Sequence, residues 1–238
     1  MTALSPSLIR LQLPLRECIT VLNALHVPSI HIDIASGCVL PGFLNHDILQ
    51  TGVLRELAAP LTFHIVPAPE DNITALNFLQ AGDLAVLHVF PTTRPQTLDS
   101  FIVSARATGC RTGLAIDLEV ATDRVNGWLG VLDTIFVMGI PLACYGLPLD
   151  TSAETRLAAV KEAIVDSNPT CHLALDGGVT ASTFQHLIGR VDELVIGSLL
   201  FNASNLVEQW QLLSEHAQKD TRRWNSYVTI NGTSKKIS

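Results

Sequence analysis

The chain of 238 residues contains no run of uninterrupted apolar side chains of the roughly 18 to 20 that a helix needs to cross a bilayer. Cysteine is sparse and scattered. Cys18, Cys38, Cys110, Cys144 and Cys171 are odd in number and form no CxxC pair, which argues against a disulfide framework and for a reducing compartment. Charge is also thin. Charged residues make up 16% and the formal net charge is -7, so a surface for nucleic acid or an anionic membrane is not expected. A phosphate group could still be bound, because backbone N–H groups at helix starts need no net positive charge. The opening residues 1–14 carry neither a basic leader nor a long apolar stretch, so no signal peptide is expected and a soluble, cytoplasmic protein is. Low-complexity segments are absent, as is any repeat longer than a strand and a helix.

What the chain has is apolar mass. Hydrophobic residues reach 47%, which implies a core-rich, two-sided fold. Short β-rich runs alternate with longer helical patterns, the signature of β/α units. Strands are expected at residues 5–10, 29–34, 61–66, 84–90, 111–118, 134–138, 171–175 and 193–196. Helices are expected at 14–25, 47–58, 68–80, 95–108, 121–131, 152–166, 181–188 and 202–216. Inner runs such as Leu84-Ala85-Val86-Leu87 are continuously apolar, as strands covered on both sides must be. Pro14 and Pro95 stand near helix starts, and Gly82 and Gly109 stand just past helix patterns, where each residue type fits best. Eight units in a chain of this length predict an α/β fold of the (β/α)8 TIM barrel type rather than a doubly wound sheet. The barrel is expected to fill residues 1–218 as one domain, with 219–238 a polar C-terminal extension.

In such a barrel the chemistry belongs at the C-terminal strand ends. His31 and Asp33 alternate with Ile30, Ile32 and Ile34, so period two puts the imidazole and the carboxylate on the inner face. That is the reverse of an inert interior. A metal or catalytic site and a simple buried His–Asp hydrogen bond are both open at this point. His64 closes in on the end of the third strand, and Asp176 follows the seventh, ahead of Gly177 and Gly178. The plainer alternative is that Asp176 caps the next helix. Two imidazoles and two carboxylates make a ligand set suited to one divalent ion, Zn²⁺, Mn²⁺, Fe²⁺ or Co²⁺. Gly177-Gly178 and Gly197-Ser198 follow strands seven and eight, where barrels often grip phosphate, although tight turns alone would also explain them. Ser7 is placed near the mouth, either touching ligand or packed. Met138 reads first as core. His88 and Asp117 lie near strand ends as supporting donors or structural residues. His26, His46, His172, His186 and His216 read as helix, loop or surface positions, and neither Cys38 nor Cys144 is marked as a nucleophile.

With these residues in view, the chain resembles the ribulose-phosphate 3-epimerase family from Leu4 to Glu215. The matching stretches are SPSL at 5–8, HID at 31–33, VLPG at 39–42, FHIV at 63–66, AGD at 81–83, LDGGV at 175–179 and IGSLLF at 196–201. The resemblance implies a TIM barrel that oligomerises with copies of itself and holds one divalent metal through His31, Asp33, His64 and Asp176. It implies that Asp33 and Asp176 form an acid/base pair, that Ser7 contacts substrate, and that Met138 walls the site. His64 would border the substrate as well as the metal. Gly177, Gly178, Gly197 and Ser198 would grip the phosphate. The implied reaction inverts C3 of a ketose phosphate, D-ribulose 5-phosphate to D-xylulose 5-phosphate, through an enediolate.

The chain also departs from the family pattern. Where the family continues Val-Met-Asp-Gly-His-Phe-Val-Pro-Asn after its second-strand aspartate, Ile34-Ala35-Ser36-Gly37-Cys38-Val39-Leu40-Pro41-Gly42 stands here. Val66 replaces another pocket methionine. After strand six the family has Asn-Pro-Gly-Phe-Gly-Gly-Gln, and here Ile140-Pro141-Leu142-Ala143-Cys144-Tyr145-Gly146-Leu147 stands, with Gly146 the remnant of that loop. Two alternatives therefore accompany the epimerase expectation. One is an epimerase or lyase for another sugar phosphate. The other is a non-catalytic barrel that binds metal and phosphate.

Overall fold

The structure is a computed structural model that describes residues 1–10, 14–35, 52–66, 74–219, 228–230 and 233–235. Eight strands build one parallel sheet: β1 (Ala3–Pro6), β2 (Ile30–Ala35), β3 (Leu61–Val66), β4 (Leu84–Val89), β5 (Arg111–Ile116), β6 (Thr134–Met138), β7 (His172–Asp176) and β8 (Glu193–Ile196). They pair in the order β1-β8-β7-β6-β5-β4-β3-β2. A parallel bridge between Ser7, just past β1, and His31 on β2 brings the two ends of the sheet together. The result is the expected (β/α)8 barrel. Around it lie α1 (Leu15–Ala24), α2 (Pro95–Ala107), α3 (Ala153–Ser167), α4 (Ala181–Leu187), the one-turn α5 (Ser198–Phe201) and α6 (Leu206–Lys219).

Period two along the strands divides the core in two. Leu84, Val86, Ala115, Phe136, Met138, Ala174 and Val195 form a cluster inside the barrel. Their neighbours, among them Ala85, Leu87, Leu114, Ile135, Val137, Leu173 and Leu194, pack outward with the helices. Ile30, Ile32, Ile34, Phe63 and Ile65 also belong to that outer layer. His31, Asp33 and His64 are therefore inward-facing by alternation.

Several expected elements change character. The first strand is shifted toward the N-terminus: it is Ala3–Pro6, and Leu8–Arg10 is a 3-10 turn. The apolar pair Leu8-Ile9 reads as strand in the sequence, but Leu8 is buried as part of the turn that leaves the sheet. The helix expected at 121–131 is a 3-10 segment, Thr122–Val131. Asn126, Gly127 and Gly130 are weak helix formers, and apolar spacing alone does not outweigh them. Of the helices expected at 47–58 and 68–80, residues 47–51 and 68–73 lie outside the described residues. The parts that are described are 3-10 turns, Val53–Glu56 and Thr74–Phe78. The last helix begins and ends later than expected, and α5 precedes it. Gly109 does take the left-handed torsion after α2, at φ +81°. In the tail, Val228–Ile230 (β9) and Thr233–Lys235 (β10) pair as an antiparallel hairpin. No helix among the described residues is long and apolar enough to cross a membrane.

Candidate metal centre

Strand register assembles the centre. β2 and β3 pair so that Asp33 stands beside His64, and β6 and β7 pair so that Met138 stands beside Asp176. His31 Nε2 lies 3.4 Å from both Asp33 Oδ1 and Asp176 Oδ2. His64 Nδ1 lies 3.0 Å from Asp33 Oδ1 and 3.5 Å from Asp176 Oδ2. One nitrogen or oxygen from each of the four residues falls within 4.8 Å of all the others. The His31 ring is wholly enclosed and Asp176 keeps the most exposure, 14% of its side chain. The four residues that sequence reasoning grouped are thus brought to one point. Asp176 is not the cap of α4, because Thr180 fills that position with a reciprocal bond to Thr183.

The donor set fits a divalent ion on its own geometry. Among the described residues neither ring nitrogen of the buried His31 has a hydrogen-bond partner, although Nε2 faces two carboxylate oxygens at ion-pair distance. A buried polar atom left so calls for a charge partner. Burial opposes a charged imidazole, but Asp33 and Asp176 outweigh it and hold His31 well above the ordinary histidine range. His64 is raised in the same way, against its burial. Burial likewise opposes charge on Asp33 and Asp176, yet the imidazoles hold both carboxyls below their usual range. Two imidazoles and two carboxylates offer four donor atoms to one point, and a divalent ion would displace protons held there.

Around this core the Ser7 hydroxyl donates to Asp33 Oδ2 at 3.0 Å. On the opposite side of His64 a line of hydrogen bonds continues. His64 Nε2 lies 3.0 Å from His88 Nδ1, and His88 Nε2 lies 2.9 Å from Asp117 Oδ2. Burial lowers the His88 pKa. Asp117 is lowered despite its burial, through its bond to His88 and the Glu119 N–H. Sequence position marked both residues as supporting donors or structural, but their pairing depends on the register of β4 with β5 and had no sequence signal.

A pocket opens above the centre. Ser7, Asp33, His64, Met138, Gly146, Asp176, Gly177, Gly178, Gly197 and Ser198 all line it. So do Ile140, Leu142 and Leu147 from the segment after β6, whose apolar character the sequence showed but whose place it did not. Gly177 and Gly178 have φ of +92° and +73°. A Cβ at Gly177 would meet Ile140 Cγ1 at 2.5 Å, and one at Gly178 would meet Leu149 Cα at 2.6 Å. Gly139 N–H donates to Asp176 O at 2.7 Å. The β6 segment is thus seated directly on the β7 turn. Cys144 is exposed there. His26, His172 and His186 are exposed and His216 is half-buried, in keeping with helix, loop and surface positions. Cys38, His46 and the 36–42 stretch lie outside the described residues.

A (β/α)8 barrel that gathers two imidazoles and two carboxylates on a pocket floor belongs to the class of barrels able to hold a metal at the mouth. The model of the Ribulose-phosphate 3 epimerase family matches residues 3–201, and the chain belongs to that family. Ribulose-phosphate 3-epimerase of Helicobacter pylori is 20% identical over 177 residues, 74% of this chain and 80% of that protein. Its counterpart from Aquifex aeolicus is 19% identical over 186 residues, 77% and 82% of the two chains. Among solved structures, KGPDC from Streptococcus mutans superposes with a TM-score of 0.68 at 15% identity, covering 92% of this chain and 98% of that one. At such low identity that likeness speaks for the fold alone.

Proposed function

We propose that this protein is a metal-dependent epimerase that inverts C3 of a ketose phosphate, with D-ribulose 5-phosphate and D-xylulose 5-phosphate the preferred pair. One observation carries the reading: Asp33 and Asp176, from strands three positions apart round the barrel, converge with His31 and His64 within 4.8 Å on the floor of one pocket. Inversion through a planar enediolate needs a base on each face of the carbon, and two carboxylates from different strands can supply them. In this mechanism His31, Asp33, His64 and Asp176 would hold one divalent ion, Zn²⁺, Mn²⁺, Fe²⁺ or Co²⁺, which would supply Lewis-acid chemistry toward the substrate's carbonyl oxygen. Asp33 takes the proton from one face and Asp176 returns one to the other. The Ser7 hydroxyl, donating to Asp33 Oδ2, holds that carboxylate in place and borders the substrate. Met138 walls the pocket. Gly146, Gly177, Gly178, Gly197 and Ser198 receive the phosphate by their backbone. No lysine or arginine lines the pocket among the described residues.

The β6 segment favours a second reading within the same chemistry. Ile140, Leu142 and Leu147 give the pocket an apolar wall where the family pattern has a glycine-rich loop, which suits a different sugar phosphate, a six-carbon ketose phosphate included. The same reading takes residues 1–218 as one barrel domain with 219–238 an extension, and the working form as a homo-oligomer.

The test is solvent-deuterium exchange at C3, followed by NMR on a panel of ketose phosphates with metal-loaded protein. Wild type is expected to exchange and invert D-ribulose 5-phosphate. Asp33→Asn and Asp176→Asn are each expected to lose inversion, read as deuterium at C3 of the epimeric product, by at least about 100-fold with the fold retained. Unchanged turnover in either variant overturns the two-base assignment. Inversion of a six-carbon substrate alone selects the second reading.

A further inference from the structure

We propose that His88 and Asp117 are positioning residues that fix the tautomer and orientation of His64 and so set the affinity of the centre for its cation. The inference rests on reading the four-residue cluster as a metal site. His64 presents Nδ1 to the carboxylate oxygens of Asp33 and Asp176. To give a lone pair to a cation there, Nδ1 must be bare and the ring proton must sit on Nε2. Nε2 is 3.0 Å from His88 Nδ1. That nitrogen must therefore accept, which places the proton of His88 on its own Nε2, 2.9 Å from Asp117 Oδ2. The line ends on a carboxylate, an acceptor that no proton rearrangement turns round while it stays ionised. With Nδ1 bare and Asp117 anionic, only one proton arrangement satisfies all three contacts.

The line is built to hold still. It crosses β3 and β4 and ends just past β5, and the His88 side chain is wholly enclosed. The His64 and His88 rings stack with centroids 5.1 Å apart, and Phe90 lies 4.6 Å from His88, just past the end of the same strand. Asp117 is pinned by two further contacts. Its Oδ1 accepts the Glu119 N–H at 3.1 Å. Its backbone carbonyl accepts from Arg156 of α3 at 2.7 Å, and the same guanidinium holds Val120 O at 2.8 Å. Among the described residues His31 has no comparable support, since its Nδ1 has no hydrogen-bond partner there. Such partners behind a ligating imidazole typically change metal affinity by about 10–100-fold.

The experiment titrates Co²⁺ into the metal-free full chain, with a competing chelator to read affinity and the visible cobalt bands to read geometry. His88→Phe keeps a ring of similar shape between His64 and Phe90 but removes both nitrogens. Asp117→Asn keeps an oxygen acceptor at the same place without the charge, and Asp117→Leu removes both. Affinity is expected to fall about 10–100-fold for His88→Phe and Asp117→Leu, with shifted cobalt bands, and by less for Asp117→Asn. A purely structural role would lower the unfolding temperature of the metal-free protein and leave affinity and bands unchanged in whatever remains folded. Wild-type affinity and bands in His88→Phe and Asp117→Asn overturn the inference, as does a wild type that takes up no Co²⁺. A wild type that binds Co²⁺ but inverts no sugar phosphate overturns the epimerase reading only and leaves this inference standing.

Discussion

The carboxylates that face His31 and His64 give the metal-free chain a pH signature. Both imidazoles are raised above 6.5 in the folded protein, so their contribution is complete below about pH 6.5 and is lost as pH climbs through the raised values. Asp33 and Asp176 are lowered from 3.8, so theirs is present above about pH 4 and is lost as pH falls through the depressed values. The unfolding temperature in the presence of a chelator is expected to peak between roughly pH 4 and 6.5 and to fall on the alkaline side. A flat profile from about pH 5 to 9, read by circular dichroism, would contradict the upward shift of the two imidazoles. At this scale the sequence was informative for some residues and silent for others. His31 and Asp33 alternate with three isoleucines, and period two alone turns them inward. The bond between His88 and Asp117 joins two strands, and nothing within either strand announces it.

At the scale of elements, the strands were more legible than what connects them. β3, β6 and β8 fall where apolar runs placed them, because burial on both faces leaves a long apolar stretch with sharp ends. Segments such as Thr122–Val131 are apolar at helical spacing yet wind as 3-10, since spacing reports which face is buried and not how tightly the backbone turns. The contact between the β6 segment and the β7 turn was also hidden, because it depends on shape between two loops. It makes a mutational prediction. Gly178→Ala places a Cβ on Leu149 Cα at a positive φ of +73° and is expected to cost about 1–3 kcal/mol in urea unfolding. Gly127→Ala, with open space at its Cβ and no positive φ, is expected to be neutral or stabilising by up to about 1 kcal/mol. Equal effects at the two positions would contradict the seated β6 segment.

For the molecule as a whole, the barrel turns distance in sequence into contact. Residues 31 and 176 meet only because β2 and β7 belong to one closed sheet. An ion bound at that junction would tie the two halves of the chain and favour the native state. At about 100 times its dissociation constant it would add roughly 2.7 kcal/mol, which for a domain of this size raises the unfolding temperature by roughly 5–10 °C. Chelation should reverse that gain in a calorimetric scan. The most direct test is the metal content per chain after equilibrium dialysis against Zn²⁺ or Mn²⁺, for the wild type and for Asp176→Ala. One ion per wild-type chain and near-complete loss in the variant are expected. No bound ion in the wild type, or an unchanged one in Asp176→Ala, would contradict a centre shared across the barrel mouth.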